Sequence, residues 1–208
     1  MTGPWPYAIA LPVAYLLGSI PFGVIVGRLW AGIDIRTVGS GNSGATNVLR
    51  TLGLVPAALV LAGDLAKGIA AVLIARLVSD SPLVASLAAT AAVAGHSWPA
   101  FAGFRGGRGV ATGAGALFLV SPIAGAFALV GLVVVAVSRY VSLGSIVGTA
   151  AGMGAIIVLA AAGRLHLAYL LFGVIAAILI IARHHANIGR LLRGEEHRLD
   201  LRLTSGNR

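Results

Sequence analysis

The chain has 208 residues, of which 58% are hydrophobic and 10% are charged, and it contains no cysteine. Charged residues make up about a quarter of a typical soluble domain, so an ordinary cytosolic domain is excluded; the missing cysteine also excludes a disulfide scaffold and a cysteine nucleophile. The formal net charge of +9 is typical, in a membrane protein, of cationic cytoplasmic loops and an anionic substrate or lipid headgroup, and we expect no nucleic-acid partner.

Long apolar stretches predict transmembrane helices, which need about 17–25 mostly apolar residues. A sixth stretch, Val110–Val137, carries Ser121-Pro122 near its middle, where proline disfavours a continuous helix, so it could be one span or two. The sequence predicts an all-α, polytopic integral membrane helical bundle that forms a single domain over residues 1–208. The five clear spans are Tyr7–Gly27, Leu54–Val78, Leu83–Ala100, Leu143–Ala162 and Leu167–Ile181.

The arginines indicate the orientation of the bundle, because cytoplasmic loops carry an excess of positive charge. Most of them lie in two polar loops and in the tail from Arg183 onward. If Ser121-Pro122 is an external turn, all three regions are cytoplasmic, which gives seven transmembrane helices, some short, with the N-terminus outside and the C-terminus in the cytoplasm. A five-span count with re-entrant stretches satisfies the same rule. We expect residues 198–208 to form a basic cytoplasmic tail on anionic lipid.

The first polar loop, residues 34–50, combines small polar residues with glycines. Such a loop can turn its backbone N–H groups inward as an anion-binding nest. Thr46 or Asn47 is expected to cap a following helix, whose N-terminus favours negative charge, and Arg50 could clamp a phosphate one turn later. A flexible connection between helices is the alternative. The remaining residues predicted to line the nest are Gly39, Gly41, Asn42 and Gly44.

Two ionisable residues, Asp64 and Lys67, interrupt the apolar stretch Leu54–Val78. At a spacing of three residues they can pair on one helix face, which lowers the cost of burying either charge. We expect a structural pair that supports the site. The alternative is that Lys67 extends its ammonium group to the cytoplasmic face of the membrane.

The second polar loop runs from Gly95 to Thr112 and repeats the combination of glycine and arginine. Arg105 and Arg108 are separated only by Gly106-Gly107, so both guanidinium groups can approach one anion. The alternative is an ordinary cationic loop with aromatic residues at the membrane interface. The glycine stripes Gly109-x-x-x-Gly113 and Gly144-x-x-x-Gly148-x-x-x-Gly152 predict close packing of helices.

The third polar segment begins at Arg183, and in it His184, Asn187 and Arg190 recur at helical spacing. Leu191 fits the same spacing as Arg190, so His184 and Asn187 are the two that can present one polar face at the bilayer surface. No metal site is expected, because no further histidine or carboxylate stands at ligand spacing. Three polar segments on one side of a membrane predict a shared site for a phosphate-bearing substrate.

These three segments resemble the signature motifs of the bacterial acyl-phosphate:glycerol-3-phosphate acyltransferases, the PlsY family. The resemblance covers nearly the whole chain. The stretches that carry it are Gly39–Asn47 with Arg50, Gly95–Thr112 and Arg183–Leu191, with shorter likenesses at Leu17–Gly23, Asp64–Gly68 and Ser138–Ser145.

The resemblance implies a multi-pass enzyme of the bacterial inner (cytoplasmic) membrane with its active site at the cytoplasmic face. The enzyme would move a fatty acyl group from acyl phosphate to the 1-position of glycerol 3-phosphate, giving lysophosphatidic acid and phosphate, the first step of bacterial phospholipid synthesis. No cofactor is implied. The implied partners are the two substrates, membrane lipids and a peripheral phosphate acyltransferase that supplies acyl phosphate.

The resemblance also assigns residues. Lysine is usual in the family at the positions of Arg105 and Arg108, and Ser43 stands where an apolar residue or proline is frequent; arginine keeps the charge and adds a bidentate fork. Catalytic roles are implied for Ser40, Arg50, His184 and Asn187. Contacts to substrate or phosphate are expected from Gly39, Gly41, Asn42, Gly44, Thr46, Asn47, His96, Arg105, Gly106, Gly107, Arg108, Ser142 and Arg190.

The expected mechanism is direct attack of the glycerol 3-phosphate hydroxyl on the acyl carbonyl, without an acyl-enzyme. Acyl phosphate is already an activated mixed anhydride, and the chain lacks both cysteine and a His-x-x-x-x-Asp pair. The proton acceptor could be His184, His96 or a phosphate oxygen of a substrate, and Ser40 as a covalent nucleophile is the alternative. A transporter or channel for organic phosphates and a noncatalytic lipid-binding scaffold are the competing classes of protein.

Overall fold

The computed structural model describes residues 3–199, and in that range it is α-helical, with two short 3-10 turns and no strand. The predicted all-α architecture is confirmed. Residues 200–208, most of the predicted basic tail, lie outside the described residues. The helices are α1 (Trp5–Gly18), α2 (Phe22–Ala31), α3 (Ala45–Leu52), α4 (Leu54–Val78), α5 (Pro82–Ser97), α6 (Val110–Val120), α7 (Pro122–Ala128), α8 (Val130–Ser138), α9 (Val141–Ala161), α10 (Tyr169–Ala182) and α11 (His185–Leu192).

Helix α5 lies at the centre of the bundle and packs against α1, α4, α6 and α10. Its contacts use small residues, because a Cβ at Gly18 of α1 would overlap the carbonyl of Ala92, and one at Gly95 the carbonyl of Tyr15. Large apolar side chains instead point outward, with Leu77 86% exposed. A surface of this kind suits lipid, in which helix association depends on close van der Waals packing.

The glycine stripe of α9 packs as predicted. Gly144 approaches the carbonyl of Gly131, and a Cβ at Gly148 would lie 2.6 Å from the carbonyl oxygen of Ala128. In the other predicted stripe Gly109 precedes α6 at a φ of 82°, a conformation that favours glycine. It also packs closely as predicted, since a Cβ there would lie 2.9 Å from Cγ1 of Val93 in α5. Close packing of α6 on α4 relies on Gly115 instead, where a Cβ would overlap the α4 backbone.

Two of the predicted apolar stretches, Val110–Val137 and Tyr7–Gly27, are interrupted next to a proline. The stretch Val110–Val137 divides at Ser121, whose hydroxyl accepts a hydrogen bond from the N–H of Ala124 at 3.2 Å and starts α7, so the predicted break is confirmed. The predicted span Tyr7–Gly27 lies within Trp5–Ala31, which is long and apolar enough to cross a membrane, but its helix is interrupted. Helix α1 ends at Gly18 and α2 begins after Pro21, which has no N–H to donate.

Among residues 3–199, three helical stretches are long and apolar enough to cross a membrane: Trp5–Ala31, Leu54–Val78 and Val141–Ala161. A fourth results if α10 and α11, bent by 59° at their junction, count as one. Val110–Val120 and Pro122–Ser138 are apolar but shorter. The bundle therefore has the composition of a membrane protein, and the count of seven spans and their orientation stay predictions.

Candidate active site

The first polar loop is folded around the side chain of Asn47, which is 2% exposed. Its Nδ2 donates to the carbonyls of Ile35, Val38 and Asn42 at 2.9, 3.1 and 2.9 Å. Its Oδ1 accepts from the N–H of Ser40 at 2.9 Å. Because both polar atoms of its side-chain amide bind backbone groups, Asn47 positions the loop, and its predicted contact to phosphate stays a prediction.

Two further expectations for this loop need correction. Helix α3 begins after Gly44, so neither Thr46 nor Asn47 is its N-cap; both lie in its first turn. The N–H groups of Ser40, Gly41 and Gly44 donate to acceptors inside the loop at 2.9, 3.1 and 2.9 Å, because nearby side-chain amides and a carbonyl reach them. These three groups are therefore not free to form the predicted anion nest.

The second polar loop is clamped between His96 and Arg183. The carbonyl of His96 accepts from the N–H of Gly107 at 3.1 Å. On the other side, Arg183 donates through Nε to the carbonyl of Gly107 and through a terminal nitrogen to that of Gly106, both at 3.2 Å. A Cβ at Gly107 would overlap Nε2 of His96. Gly106 and Gly107 are therefore needed for close contacts within the protein. These contacts fix the position of the Arg108 backbone, because Arg108 is the next residue.

The two arginines of this loop have different surroundings. The side chain of Arg105 is exposed, whereas that of Arg108 is half-buried. Arg36 links the first loop to the second by donating to the carbonyl of Ala102 at 2.7 Å. Hydrogen bonds from Arg36 hold the pKa of Asp34 at about 2, so this link is anchored by a carboxylate. The structure brings Arg108, and not Arg105, toward the third segment.

Four guanidinium groups from all three segments gather near Arg108. Burial is the main cause that lowers the pKa of Arg108 to about 10; the neighbouring Arg190, Arg50 and Arg183 contribute to this lowering, and Glu196 opposes it. We call Arg50, Arg108, Arg183 and Arg190 the arginine cluster. A half-buried surplus of positive charge is unfavourable by itself, so the cluster favours an anion.

Besides Arg183, Glu196 is a side chain of the site that was not predicted from the sequence. It is 8% exposed, and its Oε1 accepts from the Ser142 hydroxyl at 2.8 Å and from Nδ2 of Asn187 at 2.6 Å. Its Oε2 accepts from Nε of Arg190 at 2.8 Å. In this conformation Ser142 and Arg190 bind a protein carboxylate, and their predicted contacts to phosphate stay predictions. The sequence signal that could have identified Glu196 is an acidic residue within an arginine-rich segment.

The residues around Glu196 form a strap, residues 195–199, that crosses the site. Arg50 donates to the carbonyl of His197 at 3.0 Å, which ties the first segment to the strap. The N–H of Leu199 donates to the carbonyl of Arg139 at 2.7 Å. The strap therefore joins α3 to the α8–α9 connection and holds the three segments at one end of the bundle.

His184 and Asn187 are buried beside the cluster, 1% and 3% exposed. Nδ1 of His184 lies 2.7 Å from the carbonyl of Ile180. Because a carbonyl only accepts, Nδ1 carries the proton and Nε2 keeps its lone pair. Burial lowers the pKa of His184 to about 4, and Arg108 adds to this effect, so the imidazole is neutral at pH 7. Oδ1 of Asn187 is buried without a hydrogen-bond partner among residues 3–199. Both side chains offer acceptors to a substrate.

Ser40 stands apart from this group. It is exposed, and within residues 3–199 its hydroxyl makes no hydrogen bond to Arg50, Arg108 or His184. Thr46 and the other predicted loop residues have no polar contact with the cluster in that range either. The same part of the chain contains no group of three or more acidic or histidine side chains that could hold a metal ion.

A second polar cluster lies inside the bundle, and we call Asp64, Lys67 and His96 the buried ionic cluster. Nζ of Lys67 is 2.9 Å from Oδ1 of Asp64, and each side chain is 3% exposed. The predicted pair is confirmed and the extended Lys67 is wrong. Nζ also donates to the carbonyl of Ile20 at 3.0 Å, and Nδ1 of His96 lies 3.3 Å from the same oxygen of Asp64.

The sequence is similar to those of known glycerol-3-phosphate acyltransferases. The sequence profile described as glycerol-3-phosphate acyltransferase matches residues 8–194. The chain is 48% identical over 192 residues to the glycerol-3-phosphate acyltransferase of Desulforamulus reducens, covering 92% of this chain and 94% of the relative. It is 49% identical over 194 residues to glycerol-3-phosphate acyltransferase 2 of Moorella thermoacetica, covering 93% and 97%.

The fold is similar to a crystal structure of PlsY, an integral membrane glycerol 3-phosphate acyltransferase, in its glycerol 3-phosphate form. The TM-score is 0.85 at 43% identity, covering 93% of this chain and 96% of that chain. The lysophosphatidic acid form of PlsY matches with a TM-score of 0.84 at 41% identity, covering 95% and 97%.

Proposed function

Because the chain belongs to the PlsY family of glycerol-3-phosphate acyltransferases, we propose that it transfers a fatty acyl group from acyl phosphate to the 1-position of glycerol 3-phosphate. The products are lysophosphatidic acid and inorganic phosphate. The observation that carries this proposal is the arginine cluster beside a neutral His184 and an unpartnered Asn187 oxygen. Cations for phosphates and acceptors for a hydroxyl proton meet there at the end of an apolar bundle.

The arginine cluster is suited to two phosphate groups. The carboxylate of Glu196 lies near Arg50, Arg108 and Arg190, and within residues 3–199 neither Arg50 nor Arg108 is hydrogen-bonded to it. Guanidinium groups bind phosphate oxygens in bidentate fashion, and partial burial strengthens the interaction. We assign to Arg50 and Arg108 the binding of the substrate phosphates and of the charge that develops on the departing phosphate.

The reaction proceeds by direct transfer. The hydroxyl oxygen of glycerol 3-phosphate attacks the acyl carbon, the bond between that carbon and the phosphate oxygen breaks, and the electron pair leaves with inorganic phosphate. The hydroxyl proton goes to Nε2 of His184 or to a phosphate oxygen of a substrate. Two bound phosphates raise the pKa of the imidazole and improve it as a base. Oδ1 of Asn187 accepts from the attacking hydroxyl and orients it.

The other two groups proposed from the sequence fit less well. Nε2 of His96 packs against Gly107, which leaves little room for a substrate hydroxyl. Ser40 is exposed and has no base within hydrogen-bond distance among the described residues, so it lacks the activation that a serine nucleophile requires. These observations support His184 as the protein base and a transfer without an acyl-serine.

The membrane location follows from the substrates. The acyl chain lies between apolar helices and enters laterally from the inner leaflet, while glycerol 3-phosphate arrives from the cytoplasm. This requires the arginine cluster at the cytoplasmic face of the inner membrane, with the predicted seven spans. A peripheral phosphate acyltransferase would supply the acyl phosphate. Three segments gathered at one end of the bundle favour this enzyme over a transporter, which needs access from both sides.

The donor is tested with purified protein in detergent, labelled glycerol 3-phosphate, and either acyl phosphate or the matching acyl-CoA. Lysophosphatidic acid should form with acyl phosphate and not with acyl-CoA. Equal rates with both donors would contradict the assigned donor. Absence of product, with counterflow of glycerol phosphate in liposomes, would favour the transporter.

The direct step is tested by isotope exchange without glycerol 3-phosphate. An acyl-enzyme would exchange labelled inorganic phosphate into acyl phosphate, whereas direct transfer gives no exchange in this mixture. Ser40→Ala is the matched variant: exchange that occurs in the wild type and disappears in Ser40→Ala would establish the covalent route instead.

A further inference from the structure

The buried ionic cluster takes no part in the chemistry proposed above, yet it places a carboxylate inside an apolar helix. Asp64 is 2% exposed, and its Oδ1 faces Nζ of Lys67 at 2.9 Å and Nδ1 of His96 at 3.3 Å. Burying an ion pair seldom stabilises a protein more than apolar side chains of the same volume would. The position of the carboxylate between a lysine and a histidine therefore calls for a role besides stability.

His96 connects this carboxylate to the second polar loop. One edge of its ring, Nδ1, faces Asp64, while the opposite edge, Nε2, packs against Gly107 so closely that a Cβ there would overlap it. The carbonyl of His96 accepts from the N–H of Gly107 at 3.1 Å, and a Cβ at Gly106 would overlap the same carbonyl. A rotation of the ring would therefore displace the loop.

The loop has little freedom to absorb such a displacement. Arg183 holds the carbonyls of Gly106 and Gly107 from the other side at 3.2 Å. Arg108 is the next residue, and its guanidinium group belongs to the arginine cluster. The orientation of His96 thus sets where the Arg108 backbone lies relative to the other arginines.

We propose that Asp64 is a positioning residue for phosphate binding, which acts through the ring of His96 on the Gly106–Arg108 segment. The inference rests on the proposed function, because the phosphate held by Arg108 is that of glycerol 3-phosphate. Its structural alternative is that Asp64 serves only to neutralise Lys67. The two roles separate when both charges are removed together, since the pair is then no longer needed for neutrality but His96 has lost its acceptor.

The experiment compares two double variants in detergent, Asp64→Leu/Lys67→Met and Asp64→Asn/Lys67→Met. Both remove the ion pair without leaving an unpaired charge, so both should fold, as checked by size exclusion and thermal unfolding. The leucine variant has no acceptor for Nδ1 of His96, and we expect its KM for glycerol 3-phosphate to rise about tenfold with little change in kcat, as loss of an orienting partner does. The asparagine variant keeps a neutral acceptor and should recover most of the wild-type KM.

A background of His96→Ala provides a second measurement. If Asp64 acts through His96, adding Asp64→Leu/Lys67→Met to His96→Ala should raise KM no further. Wild-type KM in the leucine variant, or additive effects with His96→Ala, would overturn the positioning role and leave the proposed function intact. A wild-type protein that transfers no acyl group would overturn the proposed function itself, and the dissociation constant of glycerol 3-phosphate would then still test the positioning role.

Discussion

The arginine cluster and the buried ionic cluster are both made of charged side chains next to apolar helices, but their charges are balanced differently. In the arginine cluster the carboxylate of Glu196 offsets only part of the positive charge of Arg50, Arg108 and Arg190. In the buried ionic cluster one carboxylate meets one ammonium group at 2.9 Å. A surplus of charge of one sign indicates a binding site for a ligand, whereas a set of charges that balance one another indicates a structural role.

The backbone around the two clusters differs in the same way. Asp64 and Lys67 lie on one turn of α4, a helix of 25 residues whose hydrogen bonds are internal. The arginine cluster is instead assembled from separate parts of the chain: Arg50 lies in α3, Arg108 in the second polar loop, Arg183 at the junction of α10 and α11, and Arg190 in α11. Loops can move to admit a substrate and then close on it, provided that their ends are anchored to the rest of the protein. The hydrogen bonds of Asn47, Arg36 and Arg183 do this.

The largest effect should come from Arg108→Ala. Loss of a half-buried guanidinium group at the developing phosphate charge should lower kcat/KM about 100- to 1,000-fold, as loss of one oxyanion donor does. The matched control is Arg105→Ala, two glycines away on the same loop but exposed. Steady-state acyl transfer should be nearly unchanged in the control. Similar losses in both variants would mean that net charge, and not position in the cluster, matters.

His184→Gln should have the next largest effect. Removal of a general base typically slows a reaction by about 100-fold or more, here expected mainly in kcat. His185→Gln is the control, because His185 is exposed and adjacent in sequence. Near-full kcat in His184→Gln with saturating substrates would assign the proton to a substrate phosphate oxygen instead.

Much of the fold and of the two clusters could be predicted from the sequence, because these features depend on residues that are close together in the chain. Helices follow from apolar runs, the break at Ser121-Pro122 from proline chemistry, and the Asp64–Lys67 pair from a spacing of three residues. The shared polar face of His184 and Asn187 follows from helical periodicity, and both side chains lie buried beside the arginine cluster.

What could not be predicted depends on contacts between distant parts of the chain. The sequence predicts that Asn47 is a helix cap or a phosphate ligand, whereas in the structure the loop is folded around its side-chain amide. Arg105 and Arg108 are equivalent in sequence, and only tertiary packing separates the exposed one from the half-buried one. Glu196 joins the site because the strap folds back over α11. No periodic pattern in the sequence predicts this path of the chain.

Glu196→Gln should reduce stability rather than chemistry alone. The amide keeps the shape but removes the charge that offsets the arginine cluster, and we expect a loss of about 2 kcal/mol in the free energy of unfolding. Thermal unfolding in detergent measures this. Glu195→Gln is the control, because its pair with Arg193 is exposed and contributes less than about 0.5 kcal/mol. Equal melting temperatures for the two variants would contradict the role of Glu196.

The smallest effect is a dependence of stability on pH. His184 has an ordinary pKa of 6.5 when unfolded and about 4 when folded, so between these values the unfolded chain binds more protons. Stability should therefore fall as pH falls, by about 1 kcal/mol from pH 7 to 5.5. Thermal unfolding at the two pH values should show a smaller drop for His184→Gln. An equal drop would mean that His184 is not held neutral in the folded protein.

The central claim is that the phosphate of glycerol 3-phosphate is held by the arginine cluster and that the buried ionic cluster only positions it. Calorimetric titration of glycerol 3-phosphate into the wild type, Arg108→Ala and Asp64→Leu/Lys67→Met tests this directly. The dissociation constant should rise about 100-fold for Arg108→Ala and about tenfold for the double variant. Wild-type affinity in Arg108→Ala, or a greater loss in the double variant, would contradict the account.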